Sequence, residues 1–323
     1  MILDNKTILL TGGVGSFGSK FVEAVLAKHN PKAIRVFDIN EYKEVEMERK
    51  FQDSRLRFFI GDIRDFDRLK MAMRNVDIVV HAAALKHITV CEYNPIEAIK
   101  TNIEGAINIV KAALSERVER VIALSTDKAV YPVNLYGASK MVMEKVFTQG
   151  NTYSAGQNIK FACTRYGNVV ASSGSVVPLF REQAKSGKIT VTDEKMTRFW
   201  ITLEQGVEFV INCLEKMEGG EIFVPKIPSM KIMDLAEVIA PQAQKEIIGI
   251  RPGEKLHEAL ITQEEAKHTK EYNDYFVVEP DFPFWSHKEE RGGKTLPDGF
   301  QYTSENNTQW LSKEDLKDIL DNA

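Results

Sequence analysis

The first half of the chain alternates between two spacings of its apolar residues. Short runs at Thr7–Leu10, Ala33–Phe37, Leu56–Ile60, Val76–Val80 and Arg120–Leu124 are apolar almost throughout, as expected of strands covered on both faces of a sheet. Between them, Phe17–Lys28 and Pro95–Leu114 carry apolar residues at helical spacing. Five such alternations predict an α/β chain built on a doubly wound parallel sheet, with helices on both faces. A sixth run, Lys160–Arg165, leads into Tyr166-Gly167-Asn168-Val169-Val170, and there the rhythm breaks. Ser172–Ser175 reads as a loop and Val176–Ala184 as the start of a new unit. The expected organisation is a main body over residues 1–168, with returns near 200–226, and a smaller discontinuous lobe over most of 169–323. Met196–Trp200, Lys226–Pro228 and Arg251–Lys255 read as loops, and Phe282–Gln309, with its Pro, Gly and aromatic residues, as an irregular arm on the surface. Ser312-Lys313-Glu314-Asp315 has the form of a capping box ahead of a last helix, Leu316–Leu320, with Asp where Glu or Gln is usual.

Composition narrows the class without choosing a chemistry. The 323 residues suit one large or two modest domains, and 43% hydrophobic with 27% charged residues is ordinary globular usage. A net charge of -4 argues against a nucleic-acid partner. Cys91, Cys163 and Cys213 cannot all pair within one chain and lack metal-ligand spacing, which predicts reduced thiols, a cytoplasmic location and no metal site. The opening MILDNKTILLTGG lacks the form of a signal peptide, and no run approaches the roughly 20 apolar residues of a membrane span, so no membrane anchor is expected.

The strand ends carry the candidate chemistry. The first runs into Thr11-Gly12-Gly13-Val14-Gly15-Ser16-Phe17-Gly18, where Gly12, Gly15 and Gly18 follow G-x-x-G-x-x-G. Glycines so placed allow a tight turn and close backbone approach to a pyrophosphate, and the helix opening at Ser16-Phe17 offers N–H groups and a positive dipole end. The same spacing also suits a plain tight turn; its position at the first strand–helix junction favours the dinucleotide. Asp38 ends the second strand about 20 residues on, where a carboxylate accepts from the ribose 2′-hydroxyl of NAD and repels the 2′-phosphate of NADP. It also suits a helix cap, a role open to Asn40. Asp62, with Ile63 beside it, follows the third strand within reach of an adenine, Asp65 can cap the next helix, and Ala82 and Ala83 are small enough to let the fourth strand end lie against a flat cofactor.

After the fifth strand comes Leu124–Lys140, LSTDKAVYPVNLYGASK. It joins Thr126, an adjacent acid and base in Asp127 and Lys128, and Tyr136 four residues before Lys140. If Tyr136 opens a helix, the pair shares one face, and the Lys140 ammonium lowers the tyrosine pKa from about 10. Tyr-x-x-x-Lys alone equally describes an amphipathic helix with a surface Tyr and Lys.

Taken in order, TGGVGSFG, GDIRD, HAAALKH, STDKA, YGASK, RYGNV, MTRFWIT, EIFVPKIPSM and RPGEKLHE resemble the extended short-chain dehydrogenases/reductases. More narrowly they resemble the inverting UDP-N-acetylglucosamine 4,6-dehydratases of pseudaminic acid, capsule and O-antigen sugar pathways. The resemblance implies a Rossmann body and a substrate lobe. It implies Tyr136 with Lys140 as base for the sugar 4-hydroxyl, Thr126 bonded to that hydroxyl, Lys128 as base at C5 and Asp127 as acid for the departing 6-hydroxyl. Retaining relatives place Glu where Lys128 stands. Lys86 and Asn168 are implied to contact the sugar nucleotide, and Arg198, Arg251 and Glu254 its diphosphate and ribose. Relatives commonly end the second strand in a Ser-Arg pair suited to NADP; Asp38-Ile39 here points instead to tightly held, recycled NAD, with NADP as the alternative because Lys43 lies near. A homo-oligomer, up to a hexamer, is implied as well. Two rival readings remain: a sugar-nucleotide 4-epimerase or reductase, in which Asp127-Lys128 has no water to expel, and a non-catalytic dinucleotide-sensing module.

Overall fold

A computed structural model describes residues 1–154, 156–170, 175–285 and 292–322. At its centre β1 (Thr7–Thr11) is buried along its whole length. The chain then runs through α1 (Ser16–Lys28), β2 (Ala33–Asp38), α2 (Glu41–Phe51), β3 (Leu56–Ile60), α3 (Phe66–Met73) and β4 (Ile78–His81). Next come α4 (Ile88–Tyr93), α5 (Pro95–Ile99) and α6 (Gly105–Glu116), then β5 (Arg120–Thr126), α7 (Leu135–Gly150) and β6 (Lys160–Tyr166). The helix expected over Pro95–Leu114 is interrupted by a π turn at Lys100–Glu104, which turns Asn102 inward. β5 runs two residues past its expected end, carrying Ser125 and Thr126 to the sheet edge.

Beyond β6 lie β7 (Asn168–Val169), α8 (Val176–Ala184), β8 (Lys188–Val191), β9 (Thr197–Ile201), α9 (Leu203–Lys216), β10 (Ile222–Pro225), β11 (Ser229–Lys231), α10 (Ile232–Ile239) and β12 (Gln244–Ile247). The chain closes with β13 (Ala259–Ile261), α11 (Gln263–Ala266), β14 (Thr269–Glu271), β15 (Tyr275–Val278), β16 (Lys294–Thr295), β17 (Tyr302–Thr303) and α12 (Lys313–Asp321).

The main sheet has the order β16-β14-β15-β10-β6-β5-β4-β1-β2-β3. From β10 to β3 every pairing is parallel, while β15, β14 and β16 extend the sheet antiparallel. The strand order reverses between β1 and β4, so the ends of those strands frame the crevice where open α/β sheets bind ligands. One hydrophobic core lies on this sheet; a second gathers Val177, Phe180, Val191, Trp200, Met230, Leu235 and Leu316.

Two expectations are corrected. Met196–Trp200 is not a loop: Thr197–Ile201 is a fully buried strand, paired with β11 and β7. The charge on Arg198 hides it in the sequence, because a cation in a buried strand is tolerated only with partners that lie far along the chain. Nor is Phe282–Gln309 simply a surface arm. Ser304 is fully buried, and the Tyr302 hydroxyl bonds both the N–H and the carbonyl of Ile227. The expected loop at Ser172–Ser175 falls outside the described residues except for Ser175, which precedes α8. The capping box is present, with the Ser312 and Asp315 side chains each accepting from the other's N–H. Among the described residues no helix is long and apolar enough to cross a membrane.

Candidate active site

The glycine turn is built for close approach. Gly12 has φ +66°, and a Cβ there would lie 2.7 Å from the Ala83 nitrogen; a Cβ on Gly18 would lie 2.3 Å from the Gly13 carbonyl oxygen. The turn thus packs against Ala82-Ala83, and α1 rises tightly from it. Gly15 is the N-cap of α1, with no side-chain cap and no acidic residue in the first turn, so no carboxylate of that turn opposes an anion there. Phe17 packs on Phe21. Asp38 accepts from the N–H groups of Val14 (3.3 Å) and Asn40 (3.1 Å), tying β2 to the glycine turn, while the Asn40 side chain caps α2. Asp65 caps α3, Asp62 pairs with Arg64 at 2.6 Å, and Ile63 is buried where Gly105 lets α6 approach. His81, buried and stacked on Phe147, bonds Thr11 at 2.8 Å. Burial drives its imidazole down to about 3, so it is neutral. Backbone N–H groups, glycines and one carboxylate at the end of β2 fit a dinucleotide.

At the end of β5, Asp127 to Ala129 make a 3₁₀ turn capped by Thr126. Gly137 lets α7 lie against this turn, since a Cβ there would stand 2.1 Å from the Lys128 carbonyl oxygen. Asn134 caps α7 and donates to the Gly253 carbonyl at 2.8 Å, joining the helix start to the Arg251–Lys255 loop. The buried Asn102 accepts from Leu85 N–H and donates to the Ser139 hydroxyl, bracing the segment after β4 against α7.

Within this frame Asp127 is fully buried. Its Oδ1 accepts from the Thr126 hydroxyl (2.8 Å) and the Lys128 ammonium (3.0 Å), while Oδ2 has no partner among the described residues. Burial alone would lower Lys128, but Asp127 and Glu258 overcome it and hold the ammonium well above its ordinary pKa. Tyr136 faces the same groups. Burial raises its phenol to about 12, opposed by Lys128 and by a bond to Thr126. The expected depression of Tyr136 by Lys140 is therefore not what the geometry gives. The Lys140 ammonium points to the Leu124 carbonyl and the Met143 sulfur, and burial lowers it to about 8.

The residues expected to hold substrate divide. Lys86 is exposed near the end of β4. Asn168 has a buried Oδ1, and Glu254 a buried Oε2, without partners among the described residues. Arg251 is half-exposed, 3.9 Å from Glu254. Arg198 is buried and already donates to the carbonyls of Thr197, Leu256 and Lys255. The sequence reading did not single out Lys255 and Glu258, which meet Lys128 and Arg198 behind the 3₁₀ turn. Their signal lay in RPGEKLHE, but nothing local shows which of its charges turn inward.

The chain belongs to the family described as polysaccharide biosynthesis proteins, which matches residues 8–280. Among relatives, it is 46% identical to the UDP-N-acetylglucosamine 4,6-dehydratase (inverting) of Campylobacter jejuni strain 81-176, covering all of this chain and 99% of that one. It is 40% identical to a UDP-glucose 4-epimerase of Rickettsia conorii, covering 98% of this chain and 95% of that one. Among solved structures, Pen from Bacillus thuringiensis is 38% identical with a TM-score of 0.91 over the whole of both chains. The NAD complex of Thermus thermophilus UDP-glucose 4-epimerase is 25% identical with a TM-score of 0.64, covering 77% of this chain and 88% of that one.

Proposed function

We propose that the protein is a sugar-nucleotide 4,6-dehydratase that acts on UDP-N-acetylglucosamine and inverts C5, giving a 4-keto-6-deoxy sugar nucleotide and water. The observation that carries this reading is the buried Asp127–Lys128 contact of 3.0 Å beside Tyr136. The relationship to the inverting dehydratase of C. jejuni, extending over the whole chain, supports it. Held at the glycine turn, NAD would supply a reversible hydride acceptor for the C4 and C6 carbons. The backbone of Gly12–Gly18 would hold its diphosphate and Asp38 its ribose. NADP is the finer alternative, to be decided by identifying the nucleotide released on denaturation.

Tyr136, acting as phenolate, removes the proton of the 4-hydroxyl, which Thr126 orients. Burial disfavours that phenolate and Lys128 favours it. Oxidation at C4 makes the C5 proton acidic. Proton transfer from Lys128 to Asp127 across their contact turns an ammonium–carboxylate pair into an amine and an acid. The Lys128 amine then takes the C5 proton, the electron pair forms the C5–C6 double bond, and the C6–O bond breaks as Asp127 protonates the departing hydroxyl to water. Water on the face opposite Lys128 delivers a proton to C5, completing the inversion, and Tyr136 returns to solvent the proton it took from the 4-hydroxyl. The second core would form the sugar-nucleotide lobe, with Lys86, Asn168, Arg251 and Glu254 toward the substrate and Arg198, whose donors are taken by backbone carbonyls, bracing them from behind. We place the enzyme in the cytoplasm as a homo-oligomer, supplying sugars for surface polysaccharide or pseudaminic acid synthesis.

Incubation with UDP-N-acetylglucosamine tests the reading: a product lighter by one water, with C5 inverted, supports it. The 4-epimerase reading is kept by the 40% identity to the Rickettsia protein, and a product of unchanged mass would establish it instead.

A further inference from the structure

Glu258 is a buried carboxylate beside the Asp127–Lys128 pair that the proposed reaction does not itself use. It stands immediately before β13, 2% exposed, with its N–H and carbonyl fixed by Ser304. Three cations from three segments face it: Lys255 at 2.8 Å from the loop, Lys128 at 3.7 Å from the 3₁₀ turn, and Arg198 Nε at 3.8 Å from β9. Lys255 also donates to the carbonyls of Val130 (2.9 Å) and Asp127 (3.4 Å), so the Glu258–Lys255 pair grips both ends of the turn that bears the acid and base. Tyr136, from α7, also faces Lys128. His257 is turned away toward Thr197 and Glu305.

From this arrangement we infer that Glu258 is a positioning residue for the Asp127–Lys128 pair: it fixes where the Lys128 nitrogen lies and governs how readily that nitrogen gives up its proton. Lys128 faces two carboxylates, Asp127 and Glu258, and Glu258 also serves Arg198 and Lys255. Neutralising Glu258 removes one of the two carboxylates that face Lys128 and leaves Arg198 and Lys255 without their shared counter-charge, so Lys128 is more easily held as free amine. Burial would raise the Glu258 carboxyl, yet Lys128, Arg198 and Lys255 keep it ionised. Removing Lys255 acts in the opposite sense, because Glu258 then serves Lys128 with less competition. The inference rests on the dehydratase reading.

The experiment is the pH profile of UDP-N-acetylglucosamine dehydration by the full-length protein and two variants, each checked for folding by circular dichroism. For Glu258→Gln the rise of kcat with pH, which follows the Tyr136 phenolate that Lys128 favours, moves toward acid by about one unit, and kcat at its optimum falls about tenfold with KM within a few-fold as the Lys128 nitrogen is displaced. For Lys255→Met the rise moves toward alkali. Opposed shifts are not expected of residues that merely hold the fold together. Profiles that coincide with wild type in the folded variants overturn the inference, and if Glu258→Gln does not fold, the direction of the Lys255→Met shift decides it. A wild-type protein that does not remove water defeats the underlying reading instead.

Discussion

Two buried ion networks flank α7, and they are built to opposite rules. On one side Arg165, 2% exposed, makes paired bonds to both carboxylate oxygens of Glu144 (2.8 and 2.7 Å) and of Glu265 (3.0 and 2.8 Å), and another to the Leu260 carbonyl. Every carboxylate oxygen there has a guanidinium partner, as a buried charge requires. On the other side Asp127, Lys128, Glu258, Arg198 and Lys255 make a looser group. One Asp127 oxygen has no partner among the described residues, and Lys128 and Arg198 stand 3.7 and 3.8 Å from Glu258. The closed network joins α7 to β6, β13 and α11 and holds the body together. The open one keeps hydrogen-bonding capacity free at the point where substrate protons must move, and buried polar groups left in that state mark function rather than stability.

The largest effect that sharpens this contrast is expected from Asp127→Asn. Dehydration should fall by about 10²–10⁴-fold, the range for loss of a general acid, while the loss of stability in chemical denaturation stays below that of Arg165→Met, since Lys128 keeps Glu258 as a counter-charge. A comparable loss of stability there would erase the distinction. Arg165→Met should do the reverse. Breaking a closed buried pair costs about 3–5 kcal/mol, read in the same denaturation, with turnover per folded molecule within a few-fold of wild type.

A third, smaller effect probes a buried carboxyl that belongs to neither network. Glu44 on α2 is 3% exposed, with one oxygen lacking a partner among the described residues. Burial, and then the charge of Asp38, raise it to about 7 from an ordinary 4.5. Between those values the folded protein binds a proton that the unfolded chain has lost, so the stability linked to Glu44 is complete below about 4.5 and disappears as pH rises through 7. Glu44→Gln, which keeps the neutral form at all pH, should therefore stabilise the protein by about 1–2 kcal/mol at pH 8 and by almost nothing at pH 4, measured by thermal unfolding at each pH.

The sequence by itself determined the parallel body, because a strand buried on both faces must be apolar throughout and a helix on the sheet must show a 3.6-residue period. It also placed the glycine turn at the first strand–helix junction and put Thr126, Asp127, Lys128 and Tyr136 within one short stretch, where chain connectivity alone brings them near. β9 stayed hidden, because its arginine is neutralised by carbonyls and a carboxylate from residues 255 to 258. So did the roles of Lys255 and Glu258 and the actual partner of Lys140. Only tertiary structure decided these, since burial sets the protonation of a charge through neighbours from distant segments, and no local pattern records which segments will meet.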